Sequence, residues 1–366
     1  MHIGDLHLTD AEEPNHLALR DIIAQANTHL AGHINFAVLP GDNADDGTPE
    51  QYQILRSELD KLRLPLHILP GDHDFKSRSL DAFHSVLGAQ QLPKAITAAG
   101  CKCLFLDYVS AGTGGPDFKL GKRQLKWLKE ELERASTQGL EAAVFAHAYP
   151  ADLADADEAK TFHKLLRDHR VLVVDMGHTH YNELANDGKT IYAATRSTGQ
   201  IEEGPAGFSI LAIDGNVVSW RFKPLDQPWP VAMITSPADR RLVTRSRSPN
   251  HIPSGSTTVR AKAWSAEGIE RVECRIGDTE WRPMALDAST QSWTLETEIP
   301  DEPLKISVRA TDLCGSSDID SIDIVTTPET LEKRRAHGSD ADTVGAWDEK
   351  HIFGTQLGPN RNGRKW

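Results

Sequence analysis

Four short apolar runs in the first half of the chain each end in a burst of Asp or His, and this repetition restricts the fold more than any other feature. Residues 36–39 lead into Gly41-Asp42, 66–69 into Gly71-Asp72, 142–145 into His147, and 171–174 into Gly177-His178. Helical patterns separate them, over 15–30, 50–62, 124–134 and 159–167. In the first of these Leu17, Leu19, Ile22, Ile23 and Ala26 share one side. Alternating strands and helices predict an α/β layered fold. In such folds ligands gather where strands deliver residues at their carboxyl ends. Four endings of this kind therefore point to one shared site. Residues 189–223 read as antiparallel strands, with a turn signal at Asp214-Gly215.

At 366 residues the chain exceeds one average core and suits two domains. The first domain is expected over 1–225. A Pro-rich stretch, 224–237, contains Pro228-Trp229-Pro230 and reads as a boundary or linker. Beyond it the helical patterns vanish. Short alternating runs at 257–264, 270–276, 292–299, 305–310 and 321–325 predict a small β-sandwich over 226–327, with Trp264, Trp281 and Trp293 to fill its core. The remainder, 328–366, is expected to begin as a charged helix over 329–335. It ends in a tail rich in Gly and Asn that carries Arg361, Arg364 and Lys365. A solvated tail competes there with one that folds back to bring a guanidinium or Trp366 to the cleft or to a neighbouring subunit.

The formal net charge of -13 argues against binding a nucleic-acid duplex. No run approaches the ~18 apolar residues of a membrane span. Met1 to Asp5 shows no basic region followed by an apolar stretch. The expectation is a cytoplasmic protein, or a periplasmic or secreted one if a leader precedes Met1. Cys101-Lys102-Cys103 lacks the C-x-x-C spacing of a zinc or redox site. Cys274 and Cys314 read as buried free thiols or as a pair formed in an oxidising compartment. Oligomeric state is not readable, so a homo-oligomer stays open.

Two cations about 3.5–4 Å apart need carboxylates and imidazoles, one of them shared. In order, the chain supplies Asp5-Leu6-His7, Gly41-Asp42, Gly71-Asp72-His73-Asp74, His147, and Gly177-His178-Thr179-His180. Each alone is weak; the joint order, repeated at strand ends, is specific. Asp-x-His and His-x-His both place two ligands on one side of an extended segment.

This set, over roughly residues 1–225, resembles the calcineurin-like metallophosphoesterase family, in its cyclic-nucleotide and glycerophosphodiester phosphodiesterase branch. The resemblance implies a two-sheet αββα sandwich. It implies that Asp5, His7 and His180 hold one metal, that Asp72, His147 and His178 hold the other, and that Asp42 bridges both. The metals would be two divalent ions, Mn, Fe or Zn, with Fe3+ open at one position. A hydroxide shared by the metals would attack phosphorus in line. His73 would face the leaving group and protonate it or stabilise its charge. Asp74 and Asp45 fill the family's acidic positions, and Asp74 is expected to orient His73. In the last domain, Val308-Arg309-Ala310-Thr311-Asp312 resembles bacterial immunoglobulin-like strands.

Two positions depart from the family. Asp72 stands where Asn is usual, which removes one positive charge from the site and should favour monoanionic diesters over dianionic monoesters. Asp46 stands where protein phosphatases carry Arg. The expected activity is hydrolysis of a small phosphodiester, with a phosphomonoesterase, a non-catalytic metal-bound scaffold, or a binding role for the last domain as the rival readings.

Overall fold

The computed structural model describes residues 1–200, 204–245, 248–327 and 343–353. Its first half is built on two facing sheets. In the first, residues 1–3 run centrally. His2 pairs with Val38 on one side and Ser209 on the other. They join the parallel pair Ala37–Leu39 and Leu66–Ile68 to the hairpin Gly207–Asp214 and Val217–Pro224. The second sheet has six strands, in the order Lys94–Ala98, Cys101–Phe105, Glu141–Phe145, Val171–Met176, Ile191–Ala194 and Glu183–Asn186. Its four central strands run parallel. Val171–Met176 is buried at every residue, as a central strand covered on both faces must be. Val38, Phe105, Phe145, Val173, Trp220 and Phe222, drawn from both sheets, form one buried cluster.

Helices complete the layers: Pro14–Gln25 packs against the first sheet and Gly121–Thr137 against the second, with Pro49–Leu59 and Ala156–Asp168 beside them. Local chemistry starts the last two. Thr48 and Gln51 make a reciprocal capping box, and Asp155 accepts from the N–H groups of Asp157 and Glu158. The αββα sandwich expected from the sequence is the fold observed.

Several expectations need correction. The helix over 15–30 is α-helical only to Gln25; Ala26–Leu30 widens into a π turn, with Ala31 N–H donating to Ala26 O. The hairpin Lys94–Ala98/Cys101–Phe105 escaped the sequence reading. Its turn is Ala99-Gly100, both at positive φ, and it lacks the Asn-Gly or Asp-Gly signal of such turns. Of the run 189–223, Ile191–Ala194 lies outside the hairpin Gly207–Asp214/Val217–Pro224; it pairs antiparallel with Glu183–Asn186 and parallel with Val171–Met176.

The Pro-rich stretch is not a loose linker. It contains the strand Val231–Ser236, buried at all six residues. That strand opens one sheet of a β-sandwich, ordered Val231–Ser236, Gly255–Trp264, Ser292–Ile299, Ala285–Asp287. The facing sheet is Arg282–Pro283, Ile269–Ile276, Leu304–Asp312, Ser317–Ile324. Only one of the three tryptophans serves this core. Trp293 packs against it, Trp264 joins the core of the first half, and Trp281 lies under the guanidinium groups of Arg275 and Arg309, at 4.8 and 4.5 Å. All four cysteines are free; Cys274 is buried and Cys314 exposed, so these two are not paired.

After the sandwich, residues 343–353 return to the first half. Thr343 pairs with Ala185 on the edge strand of the six-stranded sheet, and Trp347 is buried in the inter-sheet cluster. The charged helix expected over 329–335 and the tail 354–366 lie outside the described residues. No helix among the described residues is long and apolar enough to cross a membrane.

Candidate metal centre

The carboxyl ends of the two sheets meet at one rim, and every predicted ligand lies there. Residues 1–3 deliver Asp5 and His7; Ala37–Leu39 delivers Asp42; Leu66–Ile68 delivers Asp72. From the other sheet, Glu141–Phe145 delivers His147 and Val171–Met176 delivers His178 and His180. The glycines in these motifs make the crowding possible. A Cβ on Gly71 would overlap Asp42 Oδ1, and one on Gly177 would overlap Asp5 Oδ1. Four of the seven residues also occupy left-handed backbone conformations, namely His7 (φ 41°), Asp42 (φ 50°), His178 (φ 66°) and His180 (φ 64°). Such conformations cost of order 1–3 kcal/mol each and persist where surrounding structure enforces them, commonly at functional sites.

Two clusters share Asp42. In one, Asp42, Asp72, His147 and His178 converge. His147 Nε2 stands 3.5 Å from Asp42 Oδ2 and 3.2 Å from Asp72 Oδ1, and His178 Nδ1 is 3.5 Å from Asp72 Oδ1. In the other, Asp42 meets His7 and His180, with His7 Nε2 3.7 Å from Asp42 Oδ2 and 3.0 Å from His180 Nε2. Asp5 sits beside both. Its Oδ2 accepts from His178 N–H at 2.9 Å, while its Oδ1 is buried without a hydrogen-bond partner. His147 Nδ1 lies 3.1 Å from Pro40 O, a contact that sets Nδ1 as donor and leaves the Nε2 lone pair facing the carboxylates.

Charge has been gathered here at a cost. Burial and the neighbouring Asp72 both disfavour an ionised Asp42, yet His147 and His7 carry its carboxyl below the ordinary range. Burial likewise opposes a charged His147, but Asp42, Asp72 and Asp5 lift its pKa well above the ordinary imidazole value. Three convergent carboxylates, an orphaned buried oxygen and two imidazole nitrogens 3.0 Å apart are what a pair of cations would satisfy. The residues fit the group.

Around the clusters the structure reassigns one role. Asp74 does not reach His73. Its oxygens are filled by the N–H groups of Asn43, Ala44 and Gly71, by Asn43 Nδ2 and by Tyr52 Oη. Burial, with the charge of Asp42 adding to it, pushes the Asp74 carboxyl up to about 6. Asp74 therefore organises the two loops that carry Asp42 and Asp72. Replacing Tyr52 with Phe removes the 2.8 Å bond to this buried carboxylate. A loss of about 2 kcal/mol in stability is expected, read as a lower denaturant midpoint at unchanged slope.

His73 is turned instead by Asp45. Its Nδ1 lies 2.9 Å from Asp45 O and 3.1 Å from Asp45 Oδ1, and the same Oδ1 is 3.3 Å from His7 Nδ1. Burial opposes ionisation of Asp45, but Lys76, His73 and His7 hold its carboxyl below the ordinary range. Lys76 bonds Asp45 O and lies 3.1 Å from Asp46 Oδ1, so a cation stands beside the position where Arg is missing. Gln200 Nε2 reaches Asp45 Oδ1 at 3.3 Å and His7 Nδ1 at 3.2 Å. The sequence reading missed Gln200, although it too lies in a polar run after a strand, Ile191–Ala194.

This rim of shared carboxylates and imidazoles on an αββα sandwich defines a calcineurin-like phosphoesterase domain, and residues 1–182 match the model of the family described as Calcineurin-like phosphoesterase. The family binds a dinuclear metal centre. Among individual proteins, the chain is similar to glycerophosphodiester phosphodiesterase GpdQ of Enterobacter lignolyticus, 33% identical over 141 residues, 37% of this chain and 49% of that protein. The match thus spans about half the length of that curated relative. Solved structures with similar folds include GAP50, the anchor in the inner membrane complex of Plasmodium, at 16% identity and TM-score 0.45, covering 62% of this chain and 84% of that one. Another is purple acid phosphatase PPD1 from yellow lupin seeds, at 11% identity and TM-score 0.48, covering 62% of this chain and 51% of that one.

Proposed function

We propose that the chain is a metal-dependent phosphodiesterase acting on a small phosphorylated molecule, of cyclic-nucleotide or glycerophosphodiester type. In this reading residues 1–225 are the catalytic unit and 226–327 an immunoglobulin-like companion. The observation that carries the diester preference is the Asp72 carboxylate. It lies 3.2 Å from His147 Nε2 and 3.5 Å from His178 Nδ1, inside a ligand cluster where an amide would be neutral. The added negative charge lowers the field felt by a phosphoryl group, and a dianion loses more from that than a monoanion. The similarity to a glycerophosphodiester phosphodiesterase supports this preference.

Two divalent ions, when bound, supply a nucleophile at neutral pH and neutralise charge on the phosphoryl oxygens. The protein's own groups do the rest. Asp42 lies between the clusters and fixes their separation. Asp45 holds the His73 ring through Nδ1, which leaves Nε2 free to pass a proton to the departing oxygen. Phe118 packs edge-on against His147 and His178, keeping one wall of the site apolar.

The test compares kcat/KM for an aryl phosphodiester and the matching monoester on Mn-loaded protein, in the parent and in Asp72→Asn. The parent is expected to favour the diester, and Asp72→Asn to shift the ratio toward the monoester by about tenfold, on the order of one unit charge screened at an effective dielectric of ~20 and shared between states. A parent that prefers the monoester would revive the phosphatase reading. Two bound metals with no turnover of either ester would favour a scaffold.

A further inference from the structure

A chain of buried hydrogen bonds runs from residues 343–353 to the half of the centre formed by Asp5, His7 and His180. The returning segment is anchored on both sides. Lys350 makes a buried ion pair with Asp320 of the sandwich, and Trp347 lies under Arg241 at 4.6 Å within the inter-sheet core. Val344 N–H bonds Leu184 O at 3.0 Å. At its far end His351 takes a left-handed turn, φ 59°, and its carbonyl accepts two side-chain donors, Asn182 Nδ2 at 3.2 Å and Arg196 Nη2 at 3.0 Å. Arg196 is 1% exposed and its guanidinium stacks on Phe222 at 4.4 Å and near Phe353 at 5.6 Å.

From these two residues the bonds continue inward. Arg196 N–H donates to Asn182 Oδ1, and Ser197 N–H to His180 O. Ser197 Oγ and the N–H groups of Thr198 and Gly199 all donate to Asp5 O, at 2.8, 2.9 and 3.1 Å. Gly4 packs so closely on the Arg196 carbonyl that a Cβ there would overlap it. Gln200, ending the same loop, contacts His7. The other half is held chiefly by different groups: Asp74 organises the Asp72 loop and Pro40 O orients His147, the one shared bond being His178 N–H to Asp5 Oδ2.

We propose that residues 343–353, acting through Arg196, are a positioning strap for the Asp5–His7–His180 metal position and not for its neighbour. Arg196 is a positioning residue, since it touches neither metal position directly. Removing its guanidinium takes one of two side-chain donors from the His351 carbonyl and a donor from the Pro205 carbonyl, and the loop 195–200 loses its outer support. Three ligands of one metal then slacken together.

The inference rests on the dinuclear reading above, and the test separates the two. Full-length protein is stripped with chelator and titrated with Mn2+ by calorimetry and by electron paramagnetic resonance, as wild type, Arg196→Met and Arg196→Lys. Wild type is expected to bind two Mn2+ and show a spin-coupled pair. Arg196→Met should bind one at wild-type affinity and the second about tenfold or more weakly, the usual scale for losing an outer-shell support. The coupled signal should fade, and Arg196→Lys, which restores one donor, should recover part of both. A chain ending at residue 342 should follow Arg196→Met where it folds; the Arg196 pair decides the matter where it does not. Wild-type binding in Arg196→Met, or equal weakening of both positions, overturns the strap. Fewer than two Mn2+ in the wild type overturns the dinuclear reading instead.

Discussion

Replacing Asp42 with Asn is expected to lower kcat/KM for a phosphodiester by on the order of 10^3-fold or more, with loss of at least one of two bound metals. Asp42 is common to both ligand clusters, and its Oδ2 lies 3.5 Å from His147 Nε2 and 3.7 Å from His7 Nε2. An amide keeps the shape and removes the charge. It also puts an N–H2 group where two cations would need an oxygen. Removing one well-placed group from a site that stabilises transition-state charge costs about 10^2–10^3 in rate, and loss of a metal adds to that. His73 N–H donates to Asp42 Oδ1 at 2.9 Å, so the substitution also loosens the loop carrying the proposed acid. Kinetics paired with metal analysis of the same sample checks this. Near-parental turnover with both metals retained would remove Asp42 from the centre of the mechanism.

The second large effect is a loss that depends on the leaving group. In His73→Ala, hydrolysis of an alkyl diester should fall by about 10^2–10^4, the range of general acid catalysis. An aryl diester, whose phenoxide departs without a proton, should lose about tenfold at most on the same reasoning. Asp45→Asn should show the same selectivity in weaker form, because Asp45 Oδ1 holds both His73 and His7. Equal losses on both esters would mean that His73 shapes the site without delivering a proton. The comparison also separates Asp45 from Asp74. Asp74→Asn reaches no reacting group; it disturbs a carboxylate bonded by Asn43, Gly71 and Tyr52, so stability should respond more than leaving-group selectivity.

The candidate ligand set was legible because sequence patterns encode it locally. A buried parallel strand reads as a short apolar run, and its carboxyl end must turn; Gly followed by Asp or His marks that turn. Four such endings, with the Asp5–His7 opening, sufficed to place seven residues at one rim, where the structure brings them together. The strand Val231–Ser236 was hidden because Pro228, Pro230 and Pro237 at its borders carry the composition of a linker. The Ala99-Gly100 hairpin was hidden because its turn lacks a side-chain signal. Which tryptophan fills which core was also unreadable: Trp264 and Trp293 lie on neighbouring strands of one sheet yet serve different clusters.

By itself, then, the sequence determined the layer type, the strand ends and the chemical identity of the groups at the rim, since each follows from periodicity and residue type within a few positions. Tertiary structure alone decided who supports them. Asp45, rather than the nearer Asp74, turns His73, because the loop after Leu39 folds over the one after Ile68. Gln200 meets Asp45, and Arg196 meets the His351 carbonyl, across 155 residues in each case. No local pattern encodes such pairs, because the free energy that selects them is the burial of whole sheets and of one returning segment, which sets these groups side by side only once the chain has closed.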